Sequence, residues 1–140
     1  MSPLDLETLF ADALRSHTAL AAFTGLLVVE DKADSTFTMP ACIVKCETTP
    51  LNSDGSIFDF AVEVFVETSA DITDAREAHS ALFAAVNGAL IADPADLLSA
   101  VNAQTGCDIR GWSAKAPSPG ISGAHFRSAM AVAGCAVLTP

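Results

Sequence analysis

Apolar and polar residues change their spacing several times along the chain, and each change marks an element. Leu6, Leu9, Phe10, Ala13, Leu14, His17 and Leu20 recur at intervals of three and four, the spacing of one helical face. Ser2 as a cap and Pro3 at the first helical position supply a start, so the pattern predicts a helix over about residues 3–22. Leu26 to Val29 reads as a short strand, and Glu30 to Ser35 as a solvated loop. Two β-rich runs follow, Ala41 to Thr48 and Ile57 to Thr68. Between them lie Pro50 to Ser56, residues that tolerate tight turns, so the pair reads as a long hairpin.

The alternation also predicts the register of that hairpin. Setting Lys45 opposite Glu63 sets Ile43 opposite Phe65 and Glu47 opposite Ala61 on one face. The other face then carries only apolar pairs, Cys42 with Val66, Val44 with Val64 and Cys46 with Val62. A slip of one residue would turn charges against the valines, so the pattern specifies both register and core side.

A second helix begins at Asp71 or Thr73 and carries Ala75, Ala78, His79, Leu82, Phe83, Val86, Ala89 and Leu90 on its apolar stripe, ending near Ile91. Asp93-Pro94-Ala95-Asp96 starts a short third helix with Leu97, Leu98 and Val101, which runs to Gly106. Cys107 to Lys115 reads as a strand, and Ala116 to Gly123 as a loop. Ala124 to Leu138 reads as a closing strand with Phe126, Ser128, Met130, Val132 and Leu138 on one side, and its lack of charge predicts burial on both faces. Strands thus come in neighbouring pairs with helices around them. The expectation is a single α+β domain over residues 1–140: a mainly antiparallel sheet with a long hairpin, and helices packed on one face.

Composition narrows the function classes. The chain has 140 residues, 51% hydrophobic and 17% charged, with 17 acids against 7 Lys and Arg and a formal net charge of -10. A mean hydropathy of +0.41 argues against disorder, and a pI near 4.4 argues against binding nucleic acid through a basic surface. Alanine, at 26 residues, accounts for part of the apolar content, and the remainder suggests surface that meets a partner. The uncharged stretches Ser16–Val29, Ala78–Ala92 and Ser128–Pro140 are shorter than the roughly 18–20 residues of a membrane-spanning helix, so no membrane is expected. The acidic start, with Asp5, Glu7 and Asp12, lacks the features of a secretory signal and points to the cytoplasm as the place of synthesis. Cys42, Cys46, Cys107 and Cys135 lie in apolar stretches and read as reduced core residues.

No catalytic motif stands out. Cys42 and Cys46, four apart in a strand, would stand about 13 Å apart, too far for one tetrahedral metal site. His17 and His79 fall on apolar helix faces, where a hydrogen-bonded core histidine is the commoner outcome. Ser122 and His125 with a distant acid could form a hydrolytic triad, but the nucleophile-elbow pattern is missing. Gly120 to Gly123 lacks the lysine and longer glycine pattern of a phosphate loop, and Trp112 reads as a packing or interface aromatic. Asp59, Glu63 and Glu67 share the mixed hairpin face, spaced too widely for paired carboxylate chemistry. They read as a solvated sheet face, or as acids that would repel DNA if the protein lined a passage for it.

The order of elements resembles that of the tail-terminator, or tail-completion, proteins of long-tailed bacteriophages. The resemblance rests on the capped N-terminal helix, the strand opening Met39-Pro40-Ala41-Cys42-Ile43-Val44, the alternating run Phe58 to Thr68, the helix begun at Asp71 with Arg76 and His79, and the apolar closing strand. It covers nearly the whole chain through hydrophobicity and turns. It implies a virion protein, assembled in the host cytoplasm, whose subunits form a ring, usually of six, that caps the tail tube and joins the head-side connector. It implies no catalysis and no cofactor, with DNA passing unbound. A head-completion or neck ring protein is the nearest alternative, followed by a hydrolase using Ser122 and His125 and a cytoplasmic adaptor. Asp59, Glu63 and Glu67 are then candidate lumen or surface acids. Three loops are candidate contacts between neighbours: the tip with Asn52, Asp54 and Gly55, the stretch Glu30 to Thr38, and the stretch with Pro117, Pro119 and Gly120.

Overall fold

A computed structural model describes residues 6–31, 38–105, 107–122 and 125–138; of residues 104, 105, 107, 115–122 and 138 it describes the backbone alone. The chain runs α1 (Leu6–Arg15), β1 (Leu27–Glu30), β2 (Ala41–Pro50), β3 (Ile57–Ser69), α2 (Ala75–Asn87), α3 (Ala95–Thr105), β4 (Cys107–Ser122) and β5 (His125–Leu138). The strands form one five-stranded sheet in the order β1-β2-β3-β5-β4. β1 runs parallel to β2 and every other pairing is antiparallel, giving an α+β fold with a mixed, mostly antiparallel sheet.

Lys45 stands opposite Glu63, Cys42 opposite Val66 and Val44 opposite Val64, the register expected from the alternation. The physical reason is visible in the burial. Cys42, Val44, Val62, Val64 and Val66 are fully buried, joined on the same face by Phe58 and Phe60 of β3 and Met130, Val132 and Ala136 of β5. The helices cover this face with Leu6, Phe10 and Leu14 of α1, Leu82 and Val86 of α2, and Leu97 and Val101 of α3. At one end of the core Phe10, Phe60 and Trp112 meet with ring centroids 5.8–5.9 Å apart, and Trp112 Nε1 donates to the Leu90 carbonyl at 2.8 Å.

Several expectations are corrected. The first helix ends at Arg15 and not near residue 22, while its expected start lies outside the described residues. Ser16 Oγ bonds back to the Asp12 carbonyl at 3.1 Å, and His17 Nδ1 accepts from Ala19 N at 3.1 Å to cap a short 3-10 turn over Thr18–Leu20. The second helix begins at Ala75, because Asp74 adopts a left-handed conformation with φ 56° that excludes it from the helix. Past Asn87 it continues as a π-helical turn over Gly88–Ala92.

The expected loop with Pro117, Pro119 and Gly120 is strand. β4 continues to Ser122, with Pro119 opposite Ser128 and Gly120 opposite Arg127. Proline is tolerated there because β4 is the sheet's edge, where one side of the backbone has no ladder to break, and an extra residue between Lys115 and Ser118 takes up Pro117 as a bulge. Nor is β5 buried on both faces: Ser128, Met130, Val132 and Ala136 are buried, while Ala129, Ala131, Ala133, Cys135 and Val137 are partly exposed. Among the described residues no helix packs on that side of the closing strand, and alanine leaves it shallow.

Candidate interaction surface

The sheet face turned away from the helices is the feature around which the remaining polar groups collect. Residues paired across strands project to the same side, so the register assembles this face row by row. From the β2–β3 turn downward, the rows contain Thr49, Asp59 and Cys135; Glu47, Ala61 and Ala133; Lys45, Glu63 and Ala131; Ile43, Phe65 and Ala129; then Ala41, Glu67 and Arg127. Small residues make up much of β5, so the centre is shallow. Between Glu47 and Glu63 it dips into a slot of about 170 Å³ floored by Ala61 and Ala131, with Lys45 on its wall.

The three acids singled out from sequence share this face but not one environment. Asp59 is exposed and Glu63 half-buried, whereas Glu67 is 5% exposed and is no surface acid. His125 Nε2 lies 3.0 Å from Glu67 Oε1 and Arg127 Nε 3.7 Å from the same oxygen, with the Arg127 guanidinium 4.2 Å from the centre of the Phe65 ring. Glu67 Oε2 is buried without a hydrogen-bond partner among the described residues. The partners of Glu67 come from some sixty residues later in the chain, which is why its burial was not legible from the spacing of the acids.

Ser122 and His125 are paired in backbone register at the end of the β4–β5 ladder, and Glu67 places an acid at His125. The Ser122 side chain lies outside the described residues. His79, by contrast, is held inside the core: Nδ1 is 2.7 Å from Thr68 Oγ1 and Nε2 2.8 Å from Ser128 Oγ. Burial pushes its pKa below the ordinary histidine value, which keeps the ring neutral. Beside Thr68 an open-sided cleft of about 290 Å³ runs between Phe23, Met39, Ile72 and Leu82. Cys42, Cys46 and Cys135 form no disulfide; of these three Cys42 alone is fully buried, and that burial pushes its pKa up to about 12.

The turn between β2 and β3 is built as expected of Asn52, Asp54 and Gly55. Asn52 Oδ1 accepts from Ile57 N at 3.2 Å, Asp54 Oδ1 accepts from Ser56 N at 3.0 Å, and Gly55 takes φ 71°. The Ser56 hydroxyl and backbone N–H hold the Asp54 carboxyl below the usual carboxylate range, so the tip stays charged. Leu51, 53% exposed, sits beside it.

Both sheet edges are obstructed. On β1 the Val28 carbonyl, pointing away from β2, accepts from Arg15 Nε at 2.9 Å, and the same guanidinium contacts Asp12 and Glu30. On β4 the obstruction is the pair of prolines and two bulges, one of them at Gly111 with φ 75°. A partner that added a strand would have to displace these devices, whereas the open face needs no such change. Among the described residues no three His, Cys, Asp or Glu side chains are grouped to hold a metal ion, and no single helix is long and apolar enough to cross a membrane. Comparison with protein-family models and with curated proteins finds no match to the chain.

Proposed function

We propose that the chain is a structural subunit of a phage virion, assembling into a ring that caps the tail tube and joins it to the head-side connector. The observation that carries this reading is the unequal finish of the sheet: among the described residues one face is sealed by three helices, both edges are obstructed, and the other face is open, shallow and mixed in charge from the β2–β3 turn to the row of Glu63, with Ala41, Ile43 and Glu67 buried at its far end. A subunit so finished meets its neighbours through side-chain surfaces. A ring needs two different patches on each copy, and the open face and the helix layer are two such patches. Asp59, Glu47 and Asp54 lie in water toward the turn end, and there a negative surface lets DNA pass without binding.

A neck ring of the same virion would use the same surfaces and is the nearest alternative. Imaging of purified protein added to tail tubes and to connectors decides between them: a tail cap decorates tube ends, and a neck ring decorates connectors alone. Protein that decorates neither and stays a single copy would overturn both. A hydrolytic role for Ser122 and His125 has one favouring observation, the carboxylate of Glu67 at 3.0 Å from His125. Its test is ester hydrolysis by the purified chain that disappears in Ser122→Ala.

A further inference from the structure

We propose that the neighbouring copy in the ring docks on the open sheet face by placing its Arg76 against Glu63, in the slot between Glu63 and Glu47. This deepens the ring reading and rests on it.

The first ground is the accounting of positive charge. A chain with 7 Lys and Arg against 17 acids keeps its cations close to carboxylates. Arg15 contacts Asp12 and Glu30, Lys45 lies 3.7 Å from Glu47, Arg110 2.8 Å from Asp108, and Arg127 3.7 Å from Glu67. Arg76 is exposed and, among the described residues, has no carboxylate within 4.0 Å. It stands in the first turn of α2, where the helix dipole disfavours a cation, with Asp74 and Glu77 as its acidic neighbours in sequence.

The second ground is the acceptor. Glu63 stands directly opposite Lys45 in the register, yet the ammonium lies against Glu47 and leaves Glu63 without an ion pair among the described residues. Glu63 is half-buried in the wall of the slot, whose alanine floor gives a flat guanidinium room beside the carboxylate. With Glu47, Glu63 and Lys45 around it, the slot holds one negative charge in excess.

The third ground is placement. α2 lies in the helix layer and the slot on the opposite face of the sheet, so the contact joins different surfaces of two copies. Such a contact leaves a free Arg76 at one end of any open chain of subunits and a free slot at the other, until the ring closes. It also relieves the mutual repulsion that copies of charge -10 would otherwise meet on assembly.

The test is charge exchange in the full chain, with self-association measured by sedimentation at low salt. Arg76→Glu and Glu63→Arg, each alone, are expected to weaken association at least about tenfold, and the two together to restore most of it. Arg76→Gln and Glu63→Gln, which leave no new charge, are expected to weaken it in the same direction but less, with unchanged circular dichroism. Association that ignores the single reversals, or a double variant no better than the weaker single one, would overturn the contact while leaving the ring intact. A wild-type chain that does not associate at all would overturn the ring reading and the contact with it.

Discussion

Gly134 of β5 lies beneath the Gly111 bulge of β4 so closely that a Cβ on Gly134 would stand 2.2 Å from the Gly111 carbonyl oxygen. It would also stand 2.7 Å from Cζ of Phe60, so no small movement of one side chain makes room. The two glycines do different work. Gly111 supplies the positive φ of the bulge, and Gly134 the absence of a side chain that lets β4 lie close and bring its Trp112 against Phe60. Gly134→Ala is therefore expected to lower stability by about 1–3 kcal/mol, the range for overpacking a filled core. Gly88→Ala, a helical position with nothing within 4 Å of the new Cβ, is expected to be neutral or stabilising. Urea midpoints of the two variants check both.

The bridge from Thr68 through His79 to Ser128 gives stability a defined pH response. An unfolded histidine protonates near its ordinary value of 6.5, whereas burial holds folded His79 below it. As pH falls, the unfolded chain takes up the proton first, so this contribution is complete above about pH 6.5 and is lost as pH drops through the lower folded value. Melting temperatures between pH 8 and pH 5 are expected to fall more steeply for wild type than for His79→Asn, and parallel curves would contradict the bridge.

The thiols should separate by reactivity. Cys42, fully buried with its pKa pushed up to about 12, is expected to resist alkylation in the folded protein at pH 8, while the partly exposed Cys46 and Cys135 react. Peptide mass mapping after a timed iodoacetamide pulse reads this directly, and denaturant should abolish the difference.

Trp112 is the chain's one tryptophan and reports on the aromatic cluster. Trp112→Phe keeps the ring contacts but leaves the Leu90 carbonyl without its 2.8 Å donor, at an expected cost of about 1–2 kcal/mol. Wild-type fluorescence should shift to the red on unfolding together with the circular dichroism signal.

These features differ in how far they were legible beforehand. The β2–β3 register was legible because valines and charges alternate with a period of two, and a one-residue slip would bury Glu63. The third helix was legible from its Asp-Pro-Ala-Asp start. What escaped is decided by partners distant in sequence. Pro117 and Pro119 read as loop because proline breaks interior strands; only the position of β4 at the sheet edge makes them strand. Glu67 read as solvated because its partners His125 and Arg127 lie on another strand. The slot beside Glu63 and the lack of a carboxylate near Arg76 among the described residues are likewise products of folding, since each depends on where the other charges have been drawn.

Ring assembly is tested most directly by the mass of the purified chain in solution, measured by light scattering over a wide concentration range. The ring reading predicts a discrete species at a fixed multiple of 14.4 kDa, six being the expected number, with a central opening when imaged. A single 14.4 kDa species at every concentration, on its own and with tail tubes or connectors added, would contradict it.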